Sequence, residues 1–272
     1  MSETLTSDKI REYINFLDTL AEASAKVTLK SFRQPHDVAN KGRKLNTDFD
    51  PVTEADKEAE QVIRTLIHQR YPEHDLVGEE LGREHFGAEG WVERWSWIID
   101  PIDGTRAFIT GIPLWGTLIA LNDGQQPVIG MLDQPYLKER FIGTPEGSML
   151  NGTPIHTRAC PDIGAATIST TDPIQLFATE EDRAAFERVA ARATMMRNGY
   201  DCYAYAMLAC GFIDIVIESG LEAYDIQALI PIVENAGGVV TTWEGGPADQ
   251  GGQVVACGDT RLHTQVLDLL NG

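Results

Sequence analysis

A two-lobed fold, α+β in its first part and α/β in its second, is predicted by the order of periodicities along these 272 residues. Two amphipathic helical stretches open the chain, a run of apolar segments split by turn dipeptides follows, and helical and extended patterns alternate from about residue 155 onward. Residues 1–155 are the expected first lobe and 156–272 the second.

From Ser7 the positions Ile10, Tyr13, Ile14, Leu17, Leu20 and Ala21 recur at helical spacing, with Ser7 as the expected N-cap. A polar, basic loop (36–51) follows, closed by Pro51. Thr53 caps a second helix, whose expected apolar face is Ala59, Val62, Ile63, Leu66 and Ile67. HDLVG reads as a strand running into Glu79 and Glu80, and WSWIID as a strand ending in Asp100. PLWGTLIALND, QPVIGMLDQP and ERFIGTP read as successive antiparallel strands separated by short turns. After a loop over 151–164, ATISTT and IDIVIES read as strands, EEDRAAFERVAARA and CYAYAMLACGF as helices. Residues 224–238 read as one helix with Gly237 at its C-cap, before the strand GGVVTTW.

Composition narrows the function classes. A net charge of −19 repels nucleic acid and anionic membranes alike, so neither is the expected partner. A phosphorylated substrate would be repelled too, unless bound divalent cations lie between it and the carboxylates. Four cysteines without metal-ligand spacing read as reduced, buried thiols. Charges at the N-terminus and the lack of any ~20-residue apolar run predict a soluble, cytoplasmic protein. The six histidines show no catalytic or metal-ligand spacing.

The acids carry the chemistry. In Asp-Pro-Ile-Asp, the first carboxylate can point into a cleft while Pro101 and Ile102 turn the chain and return Asp103 beside Asp100. Two carboxylates forced together repel unless a proton or cation separates them. Gly104 and Thr105 then supply a tight turn and a helix N-terminus, which suits phosphate. Glu79, Glu80, Asp56 and Asp225 are further acids at strand and helix ends, and Thr105 with Asp56 can position a water for in-line attack. Singly, each has a plainer reading as a cap or solvated surface. Together they make a magnesium-type phosphatase site.

Four stretches in order, DPVTEAD (50–56), GEE (78–80), DPIDGTRAF (100–108) and YDIQALIPIVENAGG (224–238), resemble the motifs of the inositol-monophosphatase-like superfamily of magnesium-dependent phosphatases. The resemblance implies a layered αβαβα sandwich with the site between two lobes, two or three Mg²⁺ ions, and a homodimer. It makes Glu79, Asp100 and the carbonyl of Ile102 ligands of one metal, and Asp100, Asp103 and Asp225 ligands of a second. Thr105 and Asp56 would activate a metal-bound water, Glu80 would act through a water or through Asp56, and the N–H groups of Gly104 and Thr105 would grip the phosphate. Extra residues before the first motif (41–47) leave Lys41 and Lys44 as alternatives for the family's basic residue there.

Within the superfamily three segments, 103–121, 199–225 and 228–238, are most similar to histidinol-phosphate phosphatases of histidine biosynthesis. Asp201, where inositol monophosphatases are small and neutral, is then a candidate partner for a cationic amine, and Glu218 a second. Asp201 also stands where it can cap the helix that follows. Tyr203 and Tyr205 read as core, and Trp115 as packing beneath the metal loop. The substrate expected is a small phosphate monoester, L-histidinol phosphate, with inositol 1-phosphate or sugar phosphates as the alternative. A metal- or phosphate-sensing protein without catalysis is the reading from another class; Thr105 speaks against it.

Overall fold

The computed structural model describes residues 5–35, 38–42, 51–85, 95–177 and 179–272. Lys44, His36 and most of the polar loop 36–51 lie outside them. Helix α1 (Ser7–Ser31) is capped by Thr6, whose Oγ1 accepts from the Lys9 N–H, so the cap falls one residue before the expected Ser7. β1 (Ala39–Asn40) pairs antiparallel with β2 (Pro51–Val52), so Pro51 lies inside an extended pair rather than ending one. A two-stranded ribbon has only edges, where a missing N–H is tolerated.

Helix α2 (Glu54–Arg70) begins after Thr53 as expected, but its inward face differs from the apolar stripe. Val62 and Leu66 are half-buried, while Asp56, Glu60 and Arg64 share the interior with Ala59, Ile63 and Ile67. The polar trio lies at i, i+4 spacing on one face and is paired, which is what permits its burial.

The first sheet has the order β10-β9-β8-β7-β6-β5-β3-β4. Its strands are β3 (Asp75–Gly78), β4 (Gly82–Glu84), β5 (Ser96–Asp103), β6 (Gly116–Asn122), β7 (Pro127–Gln134), β8 (Glu139–Thr144), β9 (Gly147–Leu150) and β10 (Thr153–Pro154). All neighbours are antiparallel except β3 and β5. β10 occupies part of the stretch expected as loop; two residues carry too little alternation to read as a strand. The short α3 (Thr105–Ile109) follows β5.

The second sheet runs β12-β11-β13-β15-β14, from β11 (Thr167–Thr170), β12 (Met195–Asn198), β13 (Ile215–Leu221), β14 (Val239–Thr242) and β15 (Gly252–Cys257). β11 lies parallel to β12 and β13; β15 lies antiparallel to β13 and β14. Its helices are α4 (Glu180–Ala190), α5 (Cys202–Ala209), α6 (Ala223–Ile226), α7 (Leu229–Glu234) and α8 (Thr260–Asn271). The single helix expected over 224–238 is thus two. Pro231 has no N–H to donate to the Gln227 carbonyl, so a continuous helix would lack that bond. α7 ends at Glu234 with Asn235 as its C-cap, and Gly237, two residues beyond the cap, adopts φ +103°. β12, β15 and α8 had no counterpart in the sequence reading.

Alternation along the strands builds the layers. On β5, Trp97 and Ile99 face α1 and α2, while Ile98 faces α5–α7; β6 repeats this with Ile119 and Leu121 against Leu118 and Ala120. On β13, Val216 faces α5–α7 and Ile215 and Ile217 face α4 and α8. Helices, sheet, helices, sheet, helices is the αβαβα sandwich. Gly130 and Gly143 let α7 lie close on the first sheet: a Cβ there would stand 1.9 Å from the Ala228 carbonyl oxygen and 2.3 Å from the Ile232 nitrogen. Among the described residues no helix is long and apolar enough to cross a membrane.

Candidate active site

The Asp-Pro-Ile-Asp segment solves a geometric problem. Three residues apart on a regular strand, Asp100 and Asp103 would project to opposite faces. The pairing with β6 slips here: Asp100 faces Leu118 and Asp103 faces Gly116, so Pro101 and Ile102 together oppose Thr117. This bulge accommodates the proline and turns both acids to one side. Thr117 Oγ1 fastens it by donating to the Pro101 carbonyl at 2.8 Å. Asp225, at the start of α6, completes a cluster in which one carboxylate oxygen from each of Asp100, Asp103 and Asp225 lies within 4.8 Å of the others. Burial first, then the charges of Glu79, Asp103 and Asp225, hold the Asp100 carboxyl well above the usual carboxylate range. Three hard oxygen donors with this mutual repulsion suit a divalent cation such as Mg²⁺, which favours carboxylate oxygens and relieves the repulsion.

Beneath the loop lie Phe32, Ala55, Ile102, Phe108 and Trp115, all buried, so Trp115 packs where expected. Gly104 has φ +80°, and Thr105 starts α3, whose first-turn N–H groups have no partners within the helix. The Thr105 hydroxyl lies 3.1 Å from the Ile102 carbonyl and 3.4 Å from Asp56 Oδ1. A carbonyl has two lone pairs, so the first contact leaves Ile102 one acceptor site. Asp56 Oδ2 accepts from the Thr53 N–H at 2.8 Å and the Thr53 hydroxyl at 2.5 Å. Burial raises the Asp56 pKa against those bonds.

Glu79 and Glu80 follow β3 in a turn. Lys41 donates to Glu79 Oε1 at 2.9 Å and to Glu80 Oε1, so Lys41 reaches the acids at the site. Glu80 is therefore held by Lys41, and Asp56 acts on it through charge. Burial, and the charges of Glu79 and Asp56, push Glu80 up to about 7 despite the lysine.

The second sheet supplies the opposite wall. Asp201 precedes α5 with φ +48°, yet its side chain makes no capping bond. Asp103 Oδ2 accepts the Cys202 N–H at 2.8 Å instead, so the capping role expected for Asp201 falls to another strand's acid. The Asp201 Cβ and Cγ lie 3.2 Å from where a Gly104 Cβ would stand, which places them against the acid loop. Glu218 is buried on β13 and accepts from the Thr171 N–H at 2.7 Å and hydroxyl at 2.9 Å, and from the Thr170 hydroxyl at 3.2 Å. Burial pushes its carboxyl up to about 8, with Asp103 adding to the rise.

One cleft is lined by Glu79, Asp100, Ile102, Asp103, Gly104, Thr105, Asp201, Glu218 and Asp225 together. Asp56 touches it through Thr105, and Glu80 stands behind Glu79. Tyr205 lines the cleft as well as the core, and its buried hydroxyl has no hydrogen-bond partner among the described residues. That correction was out of reach of periodicity, which marks Tyr205 as inward-facing without saying whether core or cleft lies there. Thr171, which holds Glu218, was missed for the same reason.

Comparison with known proteins agrees with this geometry. The inositol monophosphatase family profile matches residues 9–271. The chain is 43% identical over 263 residues to the chloroplastic bifunctional phosphatase IMPL2 of Arabidopsis thaliana, covering 93% of this chain and 73% of that protein. It is 35% identical over 228 residues to a histidinol-phosphatase of Chlorobaculum parvum, 83% and 84% of the two chains. The structure of an inositol monophosphatase from Zymomonas mobilis superposes with a TM-score of 0.84 at 37% identity, covering 96% of this chain and 98% of that one. The chain belongs to the inositol monophosphatase family, phosphatases that act on small phosphate esters.

Proposed function

We propose that the protein is a Mg²⁺-dependent phosphomonoesterase that hydrolyses L-histidinol phosphate to L-histidinol and phosphate. The observation that supports the substrate is the pair of acids, Asp201 and Glu218, in the lining of the same cleft as the Asp100, Asp103 and Asp225 cluster. A polyol has no charge to offer them. An ammonium or imidazolium gives a charge-assisted hydrogen bond, and its approach would draw Glu218 into the ionised form that burial disfavours. The 35% identity to a histidinol-phosphatase supports the same reading.

Glu79, Asp100, the Ile102 carbonyl, Asp103 and Asp225 would hold two or three Mg²⁺ ions. When bound, these would supply Lewis-acid stabilisation of the phosphoryl oxygens and acidify a water. The chain's own contribution is then positional. Thr105 Oγ1 would accept a hydrogen bond from the attacking water with its single proton turned from the Ile102 carbonyl, 3.1 Å away, to Asp56 Oδ1 at 3.4 Å, and the two donors of Thr53 hold Asp56 in place. The N–H groups of Gly104 and Thr105 face the phosphate, and Glu80 and Lys41 orient Glu79.

The second reading is inositol 1-phosphate or a broad set of sugar phosphates, favoured by the likeness to the Zymomonas mobilis inositol monophosphatase. Phosphate release from L-histidinol phosphate, inositol 1-phosphate, fructose 1,6-bisphosphate and adenosine 3',5'-bisphosphate, with Mg²⁺ and with EDTA, tests both. The proposal expects Mg²⁺-dependent release and at least tenfold preference for histidinol phosphate, about 1.4 kcal/mol of transition-state discrimination. A flat profile would favour the broad phosphatase; binding without turnover would favour a sensor.

A further inference from the structure

The buried face of α2 carries a second polar device behind the acids. Glu60 is fully buried, and its carboxylate accepts three hydrogen bonds: Oε1 from Arg64 Nε at 2.7 Å and from the Leu81 N–H at 3.2 Å, and Oε2 from the Glu80 N–H at 2.7 Å. Arg64, also buried, donates to the Gly82 carbonyl and lies 3.0 Å from Glu84 Oε1. Residue 78 must be glycine for this to fit, because a Cβ there would stand 2.1 Å from Glu60 Oε1. One side chain thus grips the backbone of the turn 79–82 from below.

A buried ion pair is weak evidence for stability, since apolar residues of the same volume often stabilise as well. Its retention is better explained by what it fixes. Asp56 and Glu60 are one helical turn apart on the same face of α2, so the helix ties the acid that meets Thr105 to the turn that carries Glu79 and Glu80. We infer that Glu60, backed by Arg64, is a positioning residue that fixes Glu79 relative to the Asp100 cluster and so sets the protein's affinity for its divalent cation. This rests on the metal-dependent reading above. Glu60 touches neither the cleft nor the acids' carboxylates; it acts through the backbone of Glu80 and Leu81.

The test is calorimetric titration of chelator-treated protein with Mn²⁺, alongside the Mg²⁺ dependence of phosphate release, for wild type, Glu60→Gln and Gly78→Ala. Glutamine keeps the shape with one acceptor oxygen in place of two, and the alanine methyl displaces the carboxylate. Both variants are expected to bind Mn²⁺ about 10- to 100-fold more weakly, the usual cost of losing an outer partner of a metal site. The Mg²⁺ concentration for half-maximal activity should rise by a similar factor, with kcat at saturating Mg²⁺ changed less. Leu17→Ala, in the core between α1 and the first sheet, is the control: it should lower the melting temperature while leaving Mn²⁺ affinity alone. Mn²⁺ affinity within twofold of wild type in both variants would overturn the inference and leave Glu60 a stability residue only. Wild-type protein that binds no Mn²⁺ would overturn the metal-dependent reading itself, and this inference with it.

Discussion

Strands β5 and β13 lose register in the same way where they reach the cleft. In β5, Pro101 and Ile102 oppose Thr117; in β13, Ser219 and Gly220 oppose Gln253. Each strand also directs an acid toward the middle helices just before its bulge, Asp100 in one sheet and Glu218 in the other. The surroundings then diverge. Asp100 stands among Glu79, Asp103 and Asp225, so its neighbours repel it, whereas Glu218 is wrapped by three donors from Thr170 and Thr171. One bulge crowds negative charge into a place where a proton or a cation would relieve it. The other isolates a single acid that can be satisfied with or without one.

Asp100→Asn breaks the comparison on the β5 side and should have the largest effect. Removing this charge should lower phosphate release by about 10³-fold, several kcal/mol of lost transition-state stabilisation. In EDTA the same variant should melt higher than wild type, because a neutral amide ends the repulsion from Glu79, Asp103 and Asp225. Lower activity together with a lower melting temperature in EDTA would mean that the cluster is held by structural bonds rather than by a cation.

Glu218→Gln sharpens the β13 side. The folded pKa of Glu218, about 8, lies above its ordinary 4.5, so folding favours the protonated form. Its contribution to stability is complete below pH 4.5 and is lost as pH rises toward 8, because the unfolded chain releases a proton that the folded chain keeps. At about 1.4 kcal/mol per unit the loss is on the order of a few kcal/mol. Glutamine lowers stability by a pH-independent amount, through the missing acceptor, but removes this slope. In metal-free protein the melting temperature of the variant should therefore gain on wild type between pH 5 and 8. Parallel curves would show that the threonines already hold Glu218 ionised.

The same contrast explains what the sequence made legible. Asp100 and Asp103 could be read because acids and proline are both out of place in a strand, and the bulge is the structure that reconciles them. Asp56, Thr105 and Asp225 could be read as helix-terminal residues, since capping is local chemistry. The layers followed from alternation in β5, β6 and β13. Glu60 and Arg64 were hidden, because charged residues on a helix read as its solvated face unless their partners, here backbone groups some twenty residues on, are known. β15 and α8 escaped assignment although their apolar spacing is regular, and the break between α6 and α7 turned on one missing N–H at Pro231.

Asp201 is the finest point of the comparison, since it belongs to neither bulge yet reaches the acid loop beside Gly104. Its φ of +48° with ψ −140° lies outside the left-handed helical region that Asn and Asp favour, and Asp103 accepts the Cys202 N–H at the start of α5. Asp201 lines the cleft, where a substrate cation could meet its carboxylate. Asp201→Ala should then lower kcat/KM for L-histidinol phosphate about tenfold, the lower range of a hydrogen bond to a charged group, while leaving inositol 1-phosphate hydrolysis within about twofold. The ratio of the two rates is the quantity to measure, because a general distortion of the Gly104 turn would lower both together. An unchanged ratio would return the selection of the leaving group to Glu218 alone and leave the conformation of Asp201 as a consequence of how tightly α5 is drawn onto Asp103.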